Sequence, residues 1–537
     1  MHADLSRITH RPERHYSAVV AQQGRVQLDA DANEQTAIQL FQARTLAADL
    51  IGQHGGPRGA TGFKIEMQGG SRELDDLIIS GGRYYVDGIL CDATRPEPGV
   101  PVPADGAADT GGKDGADADA ADEPAAPPAT WTYWDQPDGF RDPERPGDRL
   151  PTRFPYLAYL KVWERTVTAA EDPALREVAL GSAMPDTAAR TKVVWQVLPL
   201  PASELDLEDD SPPVDDVRAA FARWAKKAGT PASRLAARSE RPDQADDEPC
   251  LVTPDARYRG PENQLYRVEV HDAGTVKDAT FKWSRENGSV TFPVDGLDGT
   301  WVELATLGSD DKLDLNVGDR VEFVDTAYTS RGEAEPLLRV EELDLPGRRV
   351  RLSDEPAQGV GRRPELHPFL RRWDHHEGTH RTKGNTRTGG LQHGALRVEE
   401  GRWLPLEDGV EVYFAAGGTY RTGDFWLIPA RTATGGVEWP TDPARRPLLQ
   451  APAGIVVHYA PLAWVQGEQA APDLRLAFRP LSAGIPAADE AALAAEAEAR
   501  AEETDGAPTA TEAAGPAVSR SQTTAAAEAA ADEGGAS

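Results

Sequence analysis

The sequence predicts a mainly β protein with a short N-terminal helical module, built as several β-sandwich or barrel-like blocks with disordered acidic linkers and a disordered tail. Three observations carry this expectation. From Tyr258 to about Leu352, short apolar runs recur between turn residues. A single strong helix signal stands near the start, between Asp31 and Gly52. Composition shifts abruptly to polar and small residues at 97–130, at 201–249 and after 482.

Residues 1–60 read as a strand-helix docking module. Val19 to Leu28 is extended around Gly24, and Asp31 then caps a helix, with Glu34 three residues on as in a capping box and Gly52 as the stop. Ile38, Phe41, Leu46 and Leu50, with Ala37 and Ala48, form its expected apolar face. In 61–96, Leu77-Ile78-Ile79 and Arg83-Tyr84-Tyr85-Val86 flank Gly81-Gly82 as a hairpin, and Asp87-Gly88 turns the chain into Ile89-Leu90-Cys91.

Residues 97–130 hold too little apolar area to offset chain entropy, so they read as a disordered acidic insertion. Strand patterning returns in 131–200, at Tyr156 to Trp163 and Val193 to Val197. A polar linker, 201–249, carries an amphipathic helix near Val217 to Lys227. A β-rich domain, 250–373, includes Leu265 to Val270, Thr280 to Trp283, Val290 to Phe292 and Arg320 to Val324. A Gly, Arg and His-rich loop at 374–391 separates it from a C-terminal β-rich block, 392–482. The Ala/Glu-rich tail, 483–537, reads as disordered, with a short helix near Asp489 to Glu503.

The chain has 537 residues, enough for roughly three or four cores. Most of its formal charge of −31 falls in the three biased stretches, and a basic stripe for nucleic acid is missing. Two cysteines, Cys91 and Cys250, cannot make a disulfide framework or a four-cysteine zinc site, although they could make one bridge. No apolar signal core opens the sequence and no run has the length of a membrane span, so we expect cytoplasmic assembly without membrane insertion.

One string has catalytic form. His376-Glu377-Gly378-Thr379-His380 matches H-E-x-x-H, in which a helix sets two imidazoles one turn apart for zinc and the glutamate activates water. Gly378 within that turn and the surrounding charges oppose a rigid helix, and the string reads as a solvated loop. His15-Tyr16 and His271-Asp272 are isolated pairs, and no phosphate loop or G-x-S-x-G elbow occurs. We expect no catalytic, cofactor-binding or metal-binding residue. Trp163, Trp195, Trp283, Trp301, Trp373, Trp403, Trp426 and Trp439 lie in strand-like segments. They read mainly as core and interface, with stacking on glycan as the other reading.

Several strings together resemble one family. They are His15-Tyr16-Ser17, Gln22-Gln23-Gly24-Arg25-Val26-Gln27-Leu28-Asp29-Ala30-Asp31 with Asn33-Glu34, and Gly82-Arg83-Tyr84-Tyr85-Val86-Asp87-Gly88. Further on come Thr191 to Val197, Glu262 to Val270, Phe281 to Ser289, Tyr420 to Arg431 and His458 to Ala463. The chain resembles an uncharacterised bacterial family associated with extracellular contractile injection systems, the phage-tail-like particles. It departs from that pattern at Ala32, where a tryptophan is expected, and in its acidic insertion.

The resemblance implies a non-enzymatic structural component near the baseplate, fibre or cap. Its partners would be other particle subunits, and the particle could carry it out of the cell. The alternatives are a glycan or cell-wall binding module of such a particle and, further off, a metal-dependent hydrolase. Gln22, Gln23, Arg25, Asp29, Asp31, Asn33 and Glu34 are the expected junction residues, suited to a fixed hydrogen-bond network at a domain junction, against a neighbouring subunit or another domain of the same chain.

Overall fold

A computed structural model describes residues 2–69, 75–96, 130–181, 184–207, 212–240, 258–307, 313–376, 390–467 and 471–480. The expected insertion (97–130) up to residue 129, the greater part of the loop at 374–391, the whole tail and Cys250 lie outside these residues. The fold is mainly β with a short N-terminal helical module, as the strand-like patterning predicts.

Helix α1, Asp29–Ile51, begins three residues earlier than expected, with Leu28 rather than Asp31 at the cap position. Asp31 is not its cap: it sits in the first turn and its carboxylate accepts from the Leu28 N–H at 3.2 Å. Glu34 completes no capping box, because its carboxylate is taken by the Thr9 hydroxyl at 2.6 Å. Gly52 ends the helix as read, with its N–H on the Ala48 carbonyl at 2.8 Å. The apolar face is the larger correction. Ile38 is buried, but Phe41, Leu46 and Leu50 are 47, 61 and 62% exposed. The body is met instead by small residues and by Arg44, whose guanidinium grips the Glu164 carboxylate through two bonds of 2.8 and 2.6 Å.

After the helix come β1 (His54–Pro57), β2 (Ile65–Gln68), β3 (Asp76–Ile79), β4 (Arg83–Val86), β5 (Ile89–Asp92) and β6 (Trp131–Thr132). Asp87-Gly88 turns β4 into β5 with both residues at positive φ, +48° and +78°, the geometry that an Asp-Gly hairpin demands. The other expected hairpin does not form. β3 pairs with β2 and β6, while β4 pairs with β1 and β5. Gly81-Gly82 therefore passes the chain between two sheets rather than turning it back.

β7 (Tyr156–Val167) and β8 (Arg190–Pro201) form a twelve-residue antiparallel pair, which β23 (Val457–Val465) extends on the other side of β7. The short β24 (Ala477–Phe478) lies parallel to β1. One core joins these sheets through Phe63, Leu77, Tyr84, Leu160, Trp195 and Leu462. On the opposite face of β7, Leu157 and Tyr159 receive Val217 and Phe221 of α2, Val214–Gly229. That helix comes from the stretch read as a polar linker. So does β9 (Leu235–Ser239), which is buried in a sheet.

β10 (Gln264–Val270), β11 (Thr280–Ser284), β12 (Thr291–Asp298), β13 (Trp301–Leu304) and β14 (Arg320–Val324) precede the short α3, Thr326–Arg331. Then come β15 (Leu338–Asp344), β16 (Arg349–Leu352), β17 (Phe369–Trp373), β18 (Leu396–Arg397), β19 (Trp403–Pro405), β20 (Val410–Phe414), β21 (Phe425–Arg431) and β22 (Gly436–Val437). Six of these close a barrel in the order β12-β13-β16-β15-β14-β17. The rest make a sandwich, with sheet β18-β11-β10-β21-β22 sharing one core with sheet β19-β20-β9. The stretches 250–373 and 392–482 are therefore interleaved rather than consecutive, since β10 pairs with β21 across six residues.

Charged residues join the barrel to the sandwich. Register sets Glu269 opposite Lys282 and Glu322 opposite Arg371. Lys282 Nζ bridges the two carboxylates, 3.3 Å from Glu269 and 2.7 Å from Glu322. Arg267 Nε donates to Glu269 at 2.5 Å. Glu322 also accepts from the Trp373 indole at 3.0 Å and the Tyr328 hydroxyl at 2.9 Å. All these groups are buried. Burial opposes ionisation of Glu322, but Lys282 and Arg371 outweigh it and hold the carboxyl down at about 2.

Two predictions follow from this packing. Glu322→Ala leaves Lys282 and Arg371 buried without their carboxylate and should cost about 3–5 kcal/mol in chemical denaturation. At Gly88 a Cβ would lie 2.2 Å from the Arg44 carbonyl oxygen of α1, at a positive φ. Gly88→Ala should therefore cost more than about 2 kcal/mol and loosen α1, read as faster amide exchange along that helix.

Candidate functional site

The N-terminal segment is an extended arm held at one end. His2 Nε2 donates to Glu269 at 2.9 Å, which brings the arm into the buried charge cluster. Burial, with Arg267 and Arg371 beside it, pushes the His2 imidazole well below its ordinary value. The Asn287 amide donates to the Ala3 carbonyl at 2.8 Å, and Arg431 donates to the Ser6 carbonyl at 2.7 Å. The arm then laces onto α1. Asp29 accepts from the Ser6 N–H and hydroxyl at 2.9 and 2.7 Å, and Gln35 accepts from the Val19 N–H at 2.7 Å.

Beyond these ties the arm stands in solvent. Every residue from Arg11 to Asp29 is exposed except the half-buried Val19, with Tyr16, Val20 and Val26 at 57, 78 and 84%. A turn at Gln22 to Arg25 reverses it, with Gly24 at φ +70° and the Arg25 N–H on the Gln22 carbonyl at 3.3 Å. Among the described residues, the backbone N–H groups of Ser17, Ala18, Val20, Ala21, Val26 and Gln27 have no partner in the chain. Pro12, His10, Ala37, Leu40, Phe41 and Ala48 line a groove of about 510 Å³ between arm and helix.

The expected junction residues divide into two groups. Asp29, Asp31 and Glu34 hold the arm and the first helical turn together. Gln22, Gln23, Arg25 and Asn33 are exposed and do not join that network. Apolar exposure on Leu46, Leu50 and Val26 adds to the surface and was not legible, because the same periodicity describes a buried face.

Other chemically capable groups are enclosed. Of the H-E-x-x-H string only His376 is described, and it is exposed; Glu377 and His380 lie outside the described residues. His375 is buried, with Nε2 on the Gly394 carbonyl at 2.8 Å, and burial pushes its imidazole down to about 3. Among the described residues, no group of three or more His, Cys, Asp and Glu is placed to hold a metal ion. The Cys91 thiol is free, and burial pushes it up to about 12. Trp163, Trp195, Trp283, Trp373 and Trp426 are buried. Trp301 and Trp403 are partly exposed beneath the guanidinium groups of Arg349, at 5.2 Å, and Arg238, at 4.2 Å, while Trp439 donates to the Leu448 carbonyl.

Glu407, between β19 and β20, is among the described residues the carboxyl tuned nearest neutrality. Burial pushes it up to about 7 against the pull of Arg285, while Asp374 and Asp408 add to the rise. It accepts from Arg285 at 2.7 Å and from the Tyr266 hydroxyl at 3.1 Å. The buried Arg267, Glu269 and Lys282 were missed as well. Their one sequence signal is charge at alternate positions of strands that are otherwise apolar.

Fold and site together define a mainly β protein whose buried charges, among the described residues, are bonded to groups within it and whose N-terminal arm and helix carry exposed apolar side chains. No described helix is long and apolar enough to cross a membrane. The chain belongs to a family of unknown function, DUF6519, whose model matches residues 1–209 and 205–535. No curated protein and no solved structure matches it.

The raised carboxyl gives a signed prediction. The folded state favours protonated Glu407, so its contribution is full below the ordinary carboxylate range and is lost as pH rises through about 7. Between pH 5 and pH 8 the protein should lose on the order of 2–3 kcal/mol from this group. Urea titrations of Glu407→Gln at the two pH values should show that much less loss.

Proposed function

We propose that this chain is a non-enzymatic structural component of a phage-tail-like contractile injection particle, joined to a neighbouring subunit through its N-terminal arm and α1. The observation that carries the docking reading is the arm from Ser17 to Leu28. Most of its backbone donors and the side chains of Val20 and Val26 face solvent, while its base is bonded into the body. Backbone hydrogen-bonding groups and apolar surface presented together suit a protein interface. The pairing of buried charges with one another favours a mechanical role for them over a catalytic one. The particle setting is supported by the strings resembling the contractile-injection family, of which Gln22 to Asp31 forms the arm and the start of α1. A glycan-binding module is the second reading, and it would rest on Trp301, Trp403 and Trp439.

The test is mass spectrometry of sedimented, sheath-containing particles from the native strain. The protein should appear at a fixed ratio to sheath, and its deletion should malform the particles. Replacing Arg25 at the turn and Asp29 at the arm's tie to Ser6 should lower incorporation severalfold. Normal particles in the deletion strain, with the protein left in the soluble fraction, would remove the structural reading.

A further inference from the structure

The outward side of α1 has a composition that narrows its partner. Ala32, Gln39, Ala43, Leu46 and Leu50 are spaced seven, four, three and four residues apart, so they form one stripe along the helix. All are exposed. The stripe points away from the buried Ala30 and Ile38 and runs for roughly 30 Å at 1.5 Å per residue. It carries no charged residue, and neither does the adjoining arm from Tyr16 to Gln23, in a chain whose formal charge is −31.

Two copies of an acidic chain repel, and an uncharged surface lets them meet at the least cost. The polar groups on this surface are also self-complementary. A glutamine amide both donates and accepts, so an identical glutamine can be its partner across a twofold axis. An extended backbone edge pairs antiparallel with itself in the same way. A surface matched to a partner of opposite charge would present one sign, and this one presents none.

We propose that the outward stripe of α1, with the adjoining arm, is a homotypic interface that pairs two copies of this chain about a twofold axis. This rests on the reading of the N-terminal module as a docking surface and makes the neighbouring subunit a second copy. The heptad-like spacing places Leu46 and Leu50 in the seam, with Gln39 and Ala43 near its middle.

Sedimentation velocity of the purified full chain over the micromolar range tests the pairing. A concentration-dependent dimer is expected. Leu46→Glu combined with Leu50→Glu should weaken it at least about tenfold while leaving the circular dichroism unchanged, since both side chains already face solvent. Gln39→Cys should form an inter-chain disulfide on mild oxidation, whereas Glu66→Cys, on the exposed side of β2, should not. A monomer at every concentration overturns the proposal. So does a dimer that the double substitution leaves intact, or a chain that associates only when a different particle subunit is added. A solution dimer in a protein missing from particles removes the particle reading and leaves this one standing. Incorporation without a solution dimer does the reverse.

Discussion

The structure depends on the bridge that Lys282 makes between Glu269 and Glu322. The two carboxylates belong to different architectures, Glu269 to the sandwich and Glu322 to the barrel, and one buried ammonium serves both. Removing such charges from water is costly, so each must be met by a neighbour in good geometry. Arg267, Arg371, Trp373 and Tyr328 supply that geometry, and each comes from a strand or helix whose position is thereby constrained. Apolar packing alone would allow the two bodies to slide. The charge cluster admits far fewer relative arrangements.

The same cluster begins the N-terminal module. His2 reaches Glu269, Asn287 holds the Ala3 carbonyl, and the next ties run from Ser6 to Asp29 and from Thr9 to Glu34. At the helix's far half, Arg44 clamps Glu164 and the Asp87-Gly88 turn comes up against the Arg44 carbonyl. Helix α1 is thus held along its length by polar contacts, which leaves its leucines free to face outward. A helix held by its apolar face would have nothing left to offer a partner.

Much of the fold could be read directly. The Asp87-Gly88 hairpin, the helix stop at Gly52, the strands at Tyr156, Val193, Leu265 and Arg320, and the amphipathic α2 all follow from local rules about φ, capping and periodicity. Of the site, Asp29, Asp31 and Glu34 were recognised as a polar network, although their partners, Ser6, Leu28 and Thr9, were not. What failed were statements about distance. Nothing near β10 indicates that it will lie against β21, about 160 residues on, and nothing near β3 indicates that it will pair with β2 and leave β4 to β1 and β5.

By itself the sequence determined where α1, α2 and the long strands lie, that Asp87-Gly88 turns the chain back, and that the class is mainly β. These are properties of a few consecutive residues, because backbone sterics and side-chain spacing act over one or two turns or strands. Only the tertiary structure decided which side of α1 is buried and which charges share a dielectric low enough to bind them together. Periodicity names a stripe without naming what covers it, so Leu46 and Leu50 looked like core. Whether a lysine in a strand is solvated or enclosed depends on strands that arrive from elsewhere, so nothing beside Lys282 in the sequence marks it as the buried bridge between Glu269 and Glu322.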